Sequence, residues 1–356
     1  MERWITTSEA ARRLGVKRGT LYSYVSRGIL TSVRRPGQEE SLFERDQVDS
    51  LAAAKHDGRR AGERLLRFRA VATRVSAIRE DRLYLRGRDI ETIVATMTFE
   101  EAARLVLDYE GAVAPPPDLD AERIRAVPLE RRIPLAVAEV AAADPRRAER
   151  VGVESRVLAL LGALAGVVPE VPLAHPWVGA LATCLLDNGL AASTTAARVA
   201  ASARAGVYDA LLAGLGALAG PLHGGAPVQA HRLLAVIAGG GEVDAAIAES
   251  VAAGGRLPGF GHVVYAGDDP RATAVLDRVR ADAPDVSALE ALAALTDRVG
   301  RPINVDLAGA VVAVALDLPV HAIEVVFQYA RVVGMAAHIV EEYEEAPLRW
   351  RARSDG

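Results

Sequence analysis

The pattern that most constrains the fold is helical, and it runs through most of the chain. Between residues 121 and 342, apolar residues recur at three- and four-residue spacing, as they do on the buried face of an amphipathic helix. Hydrophobic residues make up 51% of the sequence but aromatic residues only 4%, so the core must consist mostly of Ala, Leu and Val. Alanine-rich helices pack closely and form readily. An all-α protein is therefore expected.

Individual elements can be placed from this pattern. Thr98 and Glu101 have the spacing of a capping box at the start of a helix. Apolar and charged residues alternate over 71–85, which predicts a short hairpin or an extended arm. Further helices are expected at 121–143, 148–168, 176–190, 193–218, 243–253, 272–281, 286–299, 308–316 and 321–342.

Length and composition limit the class of protein. A chain of 356 residues can form two or three domains. The net charge of −4 argues against a chain that coats nucleic acid along its whole length, although one module could still bind DNA. A single cysteine, Cys184, excludes an internal disulfide and fits a reducing compartment. With no signal peptide and no uninterrupted apolar run that could span a bilayer, a cytoplasmic protein without a membrane partner is expected.

The first 55 residues have the spacing of a helix-turn-helix. Thr7 or Ser8 can cap a first short helix, Gly15 allows a tight turn, and Gly28 ends a second helix. Residues 33–43, broken by Pro36 and its following glycine, predict a hairpin wing. As a set, this segment resembles the winged helix-turn-helix of the MerR and excisionase type.

The resemblance implies binding to DNA, because basic and polar side chains cluster on the second helix and the wing, where they suit phosphate and base-edge contacts. A tri-helical adaptor would show the same helix pattern, so that alternative stays open. The candidate DNA-binding residues are Lys17, Arg18, Thr20, Tyr22, Arg27, Arg34 and Arg35.

Three loops in the helical part of the chain carry reactive side chains on glycine-rich turns. His223 lies in 220–226, His262 in 256–271, and Asp306 in 303–308. Glycines let the backbone present a side chain where a buried helix could not run. Two histidines and a carboxylate suit acid–base chemistry, but each could also be structural, with the histidines satisfied in the core and Asp306 capping a helix.

These loops, in this order and spacing, resemble the citrate synthase family over roughly residues 70–356. The resemblance implies a condensation of acetyl-CoA or propionyl-CoA with oxaloacetate or a related 2-oxo acid, followed by hydrolysis of the acyl-CoA intermediate. Asp306 would remove the methyl proton, His223 would hydrogen-bond the thioester oxygen, and His262 would polarise and protonate the ketone. No metal and no bound cofactor are implied, since the CoA thioester is itself a substrate.

The resemblance also implies the residues that bind the substrates. Arginines recognise carboxylates with two hydrogen bonds each, and the family pattern places them at Arg271, Arg331 and Arg349. Arg349 would enter the active site of the neighbouring subunit, so a homodimer is implied. Phe327, on the helix of Arg331, joins this set. The loop expected to hold CoA comprises Arg256, Gly259, Phe260 and Gly261.

The implied domain organisation is a helix-turn-helix domain at 1–56, a polar linker at 57–69, and a citrate synthase-like body at 70–356. That body would have a large and a small domain, with the small one at roughly 228–320.

The sequence departs from the family pattern at several positions. Asn188 stands where the family has a histidine that binds the oxo acid, and it can donate a hydrogen bond but cannot carry charge. Pro227 follows the His223 loop where Asn is usual, and Trp350 and Ser354 replace Pro and Tyr in the tail. The region between 107 and 187 is also several helices shorter.

Three functions are compatible with these residues. The first is an active acyltransferase with a DNA-binding domain. The second is a transcriptional regulator whose catalytically altered body senses metabolites, and the third is an inert dimerisation body for the helix-turn-helix.

Overall fold

A computed structural model describes the chain at residues 4–18, 20, 21, 25, 30, 32, 33, 40–45, 47–49, 71–254 and 256–350. The chain divides into two compact units, Met1–Ala72 and Thr73–Gly356. The expected linker at 57–69 lies outside the described residues.

The first unit combines a helix with a small antiparallel sheet. Strand β1 (Trp4–Thr6) leads into α1 (Thr7–Leu14), and strands β2 (Ser32–Val33) and β3 (Leu42–Glu44) complete a sheet of order β1-β3-β2. Ser32 pairs with Phe43, which confirms the expected wing hairpin, although 34–39 are outside the described residues.

Helix α1 begins one residue earlier than the sequence suggested. The Oγ1 atom of Thr6 accepts from the N–H of Glu9 at 3.2 Å, so Thr6 is the N-cap rather than Thr7 or Ser8. Gly15, with φ of 62°, ends the helix as expected. The fully buried Ala10 and Phe43 join α1 to the sheet in one apolar core.

The second unit begins with the predicted hairpin. Strands β4 (Ser76–Arg79) and β5 (Arg82–Leu85) pair antiparallel, and β6 (Arg88–Asp89) extends the sheet. Glu80 and Asp81, with φ of 51° and 57°, form the left-handed two-residue turn that suits the twist of a hairpin.

Helices form the rest of this unit, which makes it the expected all-α body. Thr98 and Glu101 form the predicted capping box. The helices are α2 (Ile90–Thr96), α3 (Phe99–Leu107), α4 (Ala121–Arg125), α5 (Arg132–Ala143), α6 (Val153–Val167), α7 (Pro176–Leu185), α8 (Ala192–Ser202), α9 (Val207–Leu218), α10 (Ala226–Ala238), α11 (Val243–Gly254), α12 (Pro270–Asp282), α13 (Ser287–Val299), α14 (Val305–Ala315) and α15 (Ala322–Tyr343), with a 3₁₀ turn at Leu129–Arg131.

The structure divides two of the expected helices and adds one, and it also begins the helix expected at 148–168 at Val153 and ends the one expected at 176–190 at Leu185. The stretch 121–143 is interrupted before α5, where Pro128 has no N–H to continue α4. The stretch 193–218 divides into α8 and α9 around Gly206, where an added Cβ would lie 2.3 Å from the carbonyl oxygen of Arg147. Helix α10, with Pro227 in its first turn, was not anticipated.

Helix α15 is the central helix of this unit. Of its 22 residues, all but two are buried. It passes close to the end of α7, because Gly334 leaves no room for a side chain: an added Cβ would lie 1.9 Å from the carbonyl oxygen of Leu186. Cys184, on α7, is also fully buried in the core.

Among the described residues, α15 is the one helix long and apolar enough to cross a membrane. Arg331 lies in the middle of this helix, so its sequence is not an uninterrupted apolar run. Within the fold, 94% of its most apolar window is buried, as expected for the core helix of a helical body.

Candidate active site

His223 lies on the short loop between α9 and α10. Gly224 lets this loop turn tightly, because its N–H donates to the carbonyl of Leu218 at 2.8 Å and a Cβ there would clash with the same oxygen. The Nε2 atom of His223 lies 2.8 Å from the hydroxyl of Ser193. Its ring meets the Phe327 ring edge-on at 5.3 Å.

The electrostatic surroundings keep His223 neutral. Burial lowers its pKa to about 4, and the nearby positive charges of Arg331 and Arg271 contribute to the decrease. Pro227, which stands where the family pattern has Asn, lies in the first turn of α10. An N–H at that position has no partner within the helix, so proline removes no helical hydrogen bond.

Backbone hydrogen bonds join the loop of His262 to the segment that precedes Asp306. Phe260 forms an antiparallel bridge with Ile303, and the N–H of Asn304 donates to the carbonyl of Gly259 at 3.0 Å. The Asn304 side chain donates to the carbonyl of Gly261, also at 3.0 Å. The structure therefore brings the second and third sequence loops together.

Gly259 is the residue that permits this approach. Its φ of 84° is left-handed, and an added Cβ would lie 2.8 Å from the Cβ of Leu307 on α14. Any side chain at this position would push the loop away from the helix that carries Asp306.

His262 has donors facing both of its ring nitrogens. The N–H of Val264 donates to Nδ1 at 3.2 Å, while Nη2 of Arg271 lies 3.2 Å from Nε2. Burial and the charge of Arg271 lower the pKa of His262, which favours the neutral ring. Because Nδ1 accepts from Val264, a neutral His262 carries its proton on Nε2, where the Arg271 guanidinium cannot accept it.

Asp306 lies in the first turn of α14. Asn304 caps this helix by accepting from the N–H of Asp306 at 3.0 Å, so the alternative that Asp306 is itself the cap is wrong. Burial raises the pKa of the Asp306 carboxyl to about 6, against the opposing charge of Arg271. The side chain is therefore a carboxylate at neutral pH, with greater basicity than an exposed aspartate.

Asp269 connects these groups, and the sequence analysis did not single it out. Its carboxylate binds Arg271 at 2.7 and 2.9 Å and also accepts from the N–H of Val305 at 3.1 Å, at the start of α14. Although burial opposes it, this ion pair holds the pKa of Arg271 above its ordinary value. The sequence signal that could have identified Asp269 is the proline that follows it, because an aspartate before a proline is typical of an N-cap at the start of a helix, here α12.

Unlike Arg271, which pairs with Asp269, Arg331 has no carboxylate ion-pair partner among the described residues. It is 1% exposed, and its Nε donates to the carbonyl of Leu185 at 3.0 Å. Its guanidinium lies 4.8 Å from the centre of the Phe327 ring, and the buried Nη1 atom has no hydrogen-bond partner in the described structure. Burial lowers the pKa of Arg331 to about 10, so it remains charged at pH 7. A buried, unpaired guanidinium is suited to an anion.

Asn188 follows a fully buried aspartate, Asp187, whose carboxylate accepts from Ser76 and His338. The Oδ1 atom of Asn188 accepts from the hydroxyl of Tyr265 at 2.5 Å. Ser76, His338 and Tyr265 were not expected from sequence, because they come from the hairpin, from α15 and from the His262 loop.

Among the described residues, two of the predicted site residues, Arg349 and Arg256, form no hydrogen bond with these groups. Arg349 binds the buried carboxylate of Glu342 with two hydrogen bonds of 2.7 Å, and Trp350 binds the same carboxylate at 2.9 Å. Arg256 is exposed at the start of its loop. No group of His, Cys, Asp and Glu side chains among the described residues could hold a metal ion.

The candidate DNA-binding residues are only partly described. Lys17 and Arg18 are exposed, and Thr20 is partly buried. Arg18 pairs with Glu40 at 2.6 Å. Tyr22, Arg27, Arg34 and Arg35 lie outside the described residues.

The fold and the site together define a helical protein with two neutral histidines, a basic carboxylate and a buried anion site. The family "Citrate synthase, C-terminal domain" matches residues 168–353, more than half of the chain. The chain belongs to the citrate synthase family. A second family, "Helix-turn-helix domain", matches residues 4–56.

Curated relatives match about half of the chain. The chain is 36% identical over 175 residues to "Putative citrate synthase 2" of Mycobacterium tuberculosis, covering 47% of this chain and 46% of the relative. It is 32% identical over 200 residues to "2-methylcitrate synthase 2" of Corynebacterium glutamicum, covering 53% and 52%. The chain thus spans about half the length of the curated relatives it matches.

Solved structures show the same fold. Citrate synthase from Thermotoga maritima matches with a TM-score of 0.66 at 21% identity, covering 83% of this chain and 95% of that one. The enzyme from Thermoplasma acidophilum, in complex with carboxymethyl coenzyme A and oxaloacetate, matches with a TM-score of 0.67 at 23% identity, covering 83% and 96%.

Proposed function

We propose that this chain condenses acetyl-CoA or propionyl-CoA with oxaloacetate or a related 2-oxo acid and then hydrolyses the acyl-CoA product. The observation that carries the proposal is the backbone pairing of residues 259–261 with 302–304, because it holds His262 and Asp306 on adjoining segments. Membership of the citrate synthase family supports the same reaction.

The first step is removal of a proton from the methyl group of the acyl-CoA. Asp306 accepts it, since a carboxylate with a pKa near 6 is ionised at pH 7 and is a stronger base than an exposed one. Neutral His223 stabilises the resulting enol-like thioester by donating a hydrogen bond to its oxygen. In the tautomer that carries its proton on Nδ1, His223 accepts from Ser193 at Nε2 and can donate the Nδ1 proton to that oxygen.

The second step joins the two substrates. His262 donates its unshared proton to the ketone oxygen of the 2-oxo acid while the enol carbon attacks the ketone carbon. The product retains the thioester, and attack by water then releases CoA and a carboxylic acid. This hydrolysis makes the condensation irreversible.

The carboxylates of the 2-oxo acid bind to the arginines. Arg331 is the principal anchor, because its buried Nη1 lacks a partner. Arg271 is held by Asp269 but retains Nη1 as a further donor. The Phe327 ring packs against both the Arg331 guanidinium and the His223 ring. Asn188 supplies an uncharged donor.

The acyl-CoA binds along the loop of Gly259, Phe260 and Gly261, with Arg256 available to a phosphate. Arg349 completes the site of a neighbouring subunit in a homodimer, for which it must exchange its bond to Glu342 for one to the substrate. The protein would be a cytoplasmic enzyme. It would consist of a DNA-binding domain at 1–56, a linker at 57–69 and a body at 70–356, with a small domain at roughly 228–320 inside the body.

Release of CoA thiol tests the reaction directly. The purified chain is mixed with acetyl-CoA or propionyl-CoA and each of a panel of 2-oxo acids, and free thiol is followed with a chromogenic disulfide. We expect CoA release that requires both substrates. If no pair of substrates releases CoA, the proposed reaction is rejected, and the metabolite-sensing regulator remains as the alternative.

DNA binding by the N-terminal unit is the second proposed activity, supported by the helix-turn-helix match at 4–56 and by exposed Lys17. We expect a salt-sensitive mobility shift with duplex DNA that is lost in the double variant Lys17→Ala, Arg18→Ala. Absence of a shift in the unaltered protein would favour the tri-helical adaptor. A shift that changes on addition of acyl-CoA or a 2-oxo acid would support the regulator.

A further inference from the structure

The backbone of Asn188 is held in place by both of its neighbours. The Asp187 carboxylate accepts from the Ser76 hydroxyl at 2.5 Å and from Nε2 of His338 at 3.0 Å. On the other side, Gly189 has a left-handed φ of 67°, and its N–H donates to the same Ser76 hydroxyl at 3.1 Å. The position of Asn188 is therefore fixed without any contribution from its own side chain.

Tyr265 determines which way the Asn188 amide faces. Tyr265 is 4% exposed, and its hydroxyl donates to Oδ1 of Asn188 at 2.5 Å. A buried phenol needs an acceptor for its proton, which the amide oxygen can provide and the NH₂ group cannot. The oxygen is therefore turned toward Tyr265. The Nδ2 group lies on the opposite side and has no acceptor within 71–254 and 256–350.

Tyr265 also contacts the groups proposed to bind the 2-oxo acid. Its ring lies 4.9 Å from the His262 ring and 5.7 Å from the Arg271 guanidinium. Asn188 is therefore placed beside the residues assigned to the ketone and to a carboxylate. We infer that Tyr265 is a positioning residue that holds the Asn188 NH₂ group as an uncharged donor to an oxygen of the 2-oxo acid. This inference rests on the proposed function.

The positioning role has consequences for the kind of substrate that the site accepts. Both protons of Nδ2 are available, so the position favours a group with acceptor lone pairs, such as a carboxylate or keto oxygen. An apolar substituent there would leave this donor without an acceptor, and a cationic substituent would place a positive charge against it.

The variant Tyr265→Phe removes the phenolic proton and keeps the ring. We expect the KM for oxaloacetate to rise about tenfold, which is the usual effect of disordering one hydrogen bond to a charged ligand, while the KM for acetyl-CoA and kcat change less than about twofold. Tyr343→Phe is the matched control, because it removes another tyrosine hydroxyl, bonded to the carbonyl of Ala205 at 2.7 Å. It should leave all three constants unchanged.

A double-mutant cycle separates positioning from general packing. Asn188→Ala should raise the KM for oxaloacetate by about tenfold or more, and adding Tyr265→Phe to it should raise the KM no further. Equal effects of Tyr265→Phe in both backgrounds would overturn the inference. Asn188→Asp still accepts from Tyr265 but faces the substrate with a negative oxygen, so the KM should rise about a hundredfold. An unchanged KM would also overturn the inference.

Calorimetric titration with oxaloacetate alone keeps this test separate from the proposed reaction. If the unaltered protein binds oxaloacetate but releases no CoA, the proposed reaction fails. The double-mutant cycle is then carried out with the Kd for oxaloacetate in place of the KM. If it releases CoA normally while Tyr265→Phe binds oxaloacetate equally well, the inference alone fails. If it neither binds nor reacts, both fail.

Discussion

Replacing Asp306 with Asn should abolish turnover and at the same time stabilise the fold. Burial raises the pKa of this carboxyl from an ordinary value of 3.8 to about 6. Because the folded-state pKa is higher than that of the unfolded chain, folding is disfavoured once the group ionises. The penalty is absent below about pH 4 and complete above about pH 6, where the difference in pKa corresponds to about 3 kcal/mol. Asn has nearly the same shape and carries no charge, so it avoids this cost.

The effect on activity follows from the same pKa. If Asp306 is the base, kcat/KM of the unaltered protein should fall about tenfold per pH unit below pH 6, since about one tenth of the carboxyl is ionised at pH 5. His223, with a pKa of about 4, stays neutral over this range and adds nothing to the acid limb. Loss of a general base typically lowers the rate by a factor of about 100 to 10,000, which is the decrease expected for Asp306→Asn at pH 7.

Two measurements check this reasoning. CoA release is followed between pH 5 and 8, and urea unfolding is measured at pH 7 and pH 4. Asp306→Asn should raise the free energy of unfolding by up to about 3 kcal/mol at pH 7 and by little at pH 4. The control is Asp297→Asn on the exposed face of α13, which should change neither activity nor stability. Turnover above a tenth of the original rate would refute Asp306 as the base, and an equal change in stability at both pH values would refute burial as the cause.

Three further predictions concern the residues around this site. Arg331→Met should raise the KM for oxaloacetate a hundredfold or more without changing that for acetyl-CoA, because it removes the buried unpaired guanidinium; steady-state kinetics with each substrate varied decides this. Gly259→Ala should lower stability by about 1–3 kcal/mol and lose most activity, since a side chain there meets Leu307, whereas Gly267→Ala on the same loop has free space and should leave thermal unfolding unchanged. If Arg349 is supplied by the neighbouring subunit, mixed dimers of the Arg349→Ala and Asp306→Asn variants should recover part of the activity, because one of the two sites then has both residues. Activity no greater than that of either variant alone would contradict that arrangement.

The sequence was sufficient to predict how a side chain is presented where its surroundings are local. His223 and His262 lie on glycine-rich loops, and Asp306 lies beside the asparagine that caps its helix, so the neighbouring residues indicate how each side chain is presented. The all-α body and the hairpin at 71–85 were predictable for the same reason, since hydrophobic periodicity is a local property.

What the sequence could not show depends on segments far apart in the chain. Ser76 contacts both Asp187 and Gly189 across more than 100 residues, and no spacing rule links a hairpin strand to the turn after α7. Helix α10 was not predicted because Gly224 and Gly225 directly precede it and its first turn contains Pro227, a combination that predicts a loop. Proline is tolerated there only because it lies at the start of the helix.

The family resemblance implies a histidine at position 188, and we expect the asparagine there to change the site less than the loss of a titratable group suggests. Both histidines in this pocket have lowered pKa values, because burial and nearby guanidinium groups disfavour the imidazolium form. A histidine at position 188 would lie beside Tyr265, whose ring contacts the Arg271 guanidinium, and the charge of Arg271 would favour the neutral imidazole. A neutral imidazole offers one N–H, and an asparagine whose oxygen is held by Tyr265 offers an NH₂ group. We therefore expect Asn188→His to retain measurable turnover with oxaloacetate, and a complete loss of CoA release in that variant would show that the pocket has been reshaped for a different oxo acid.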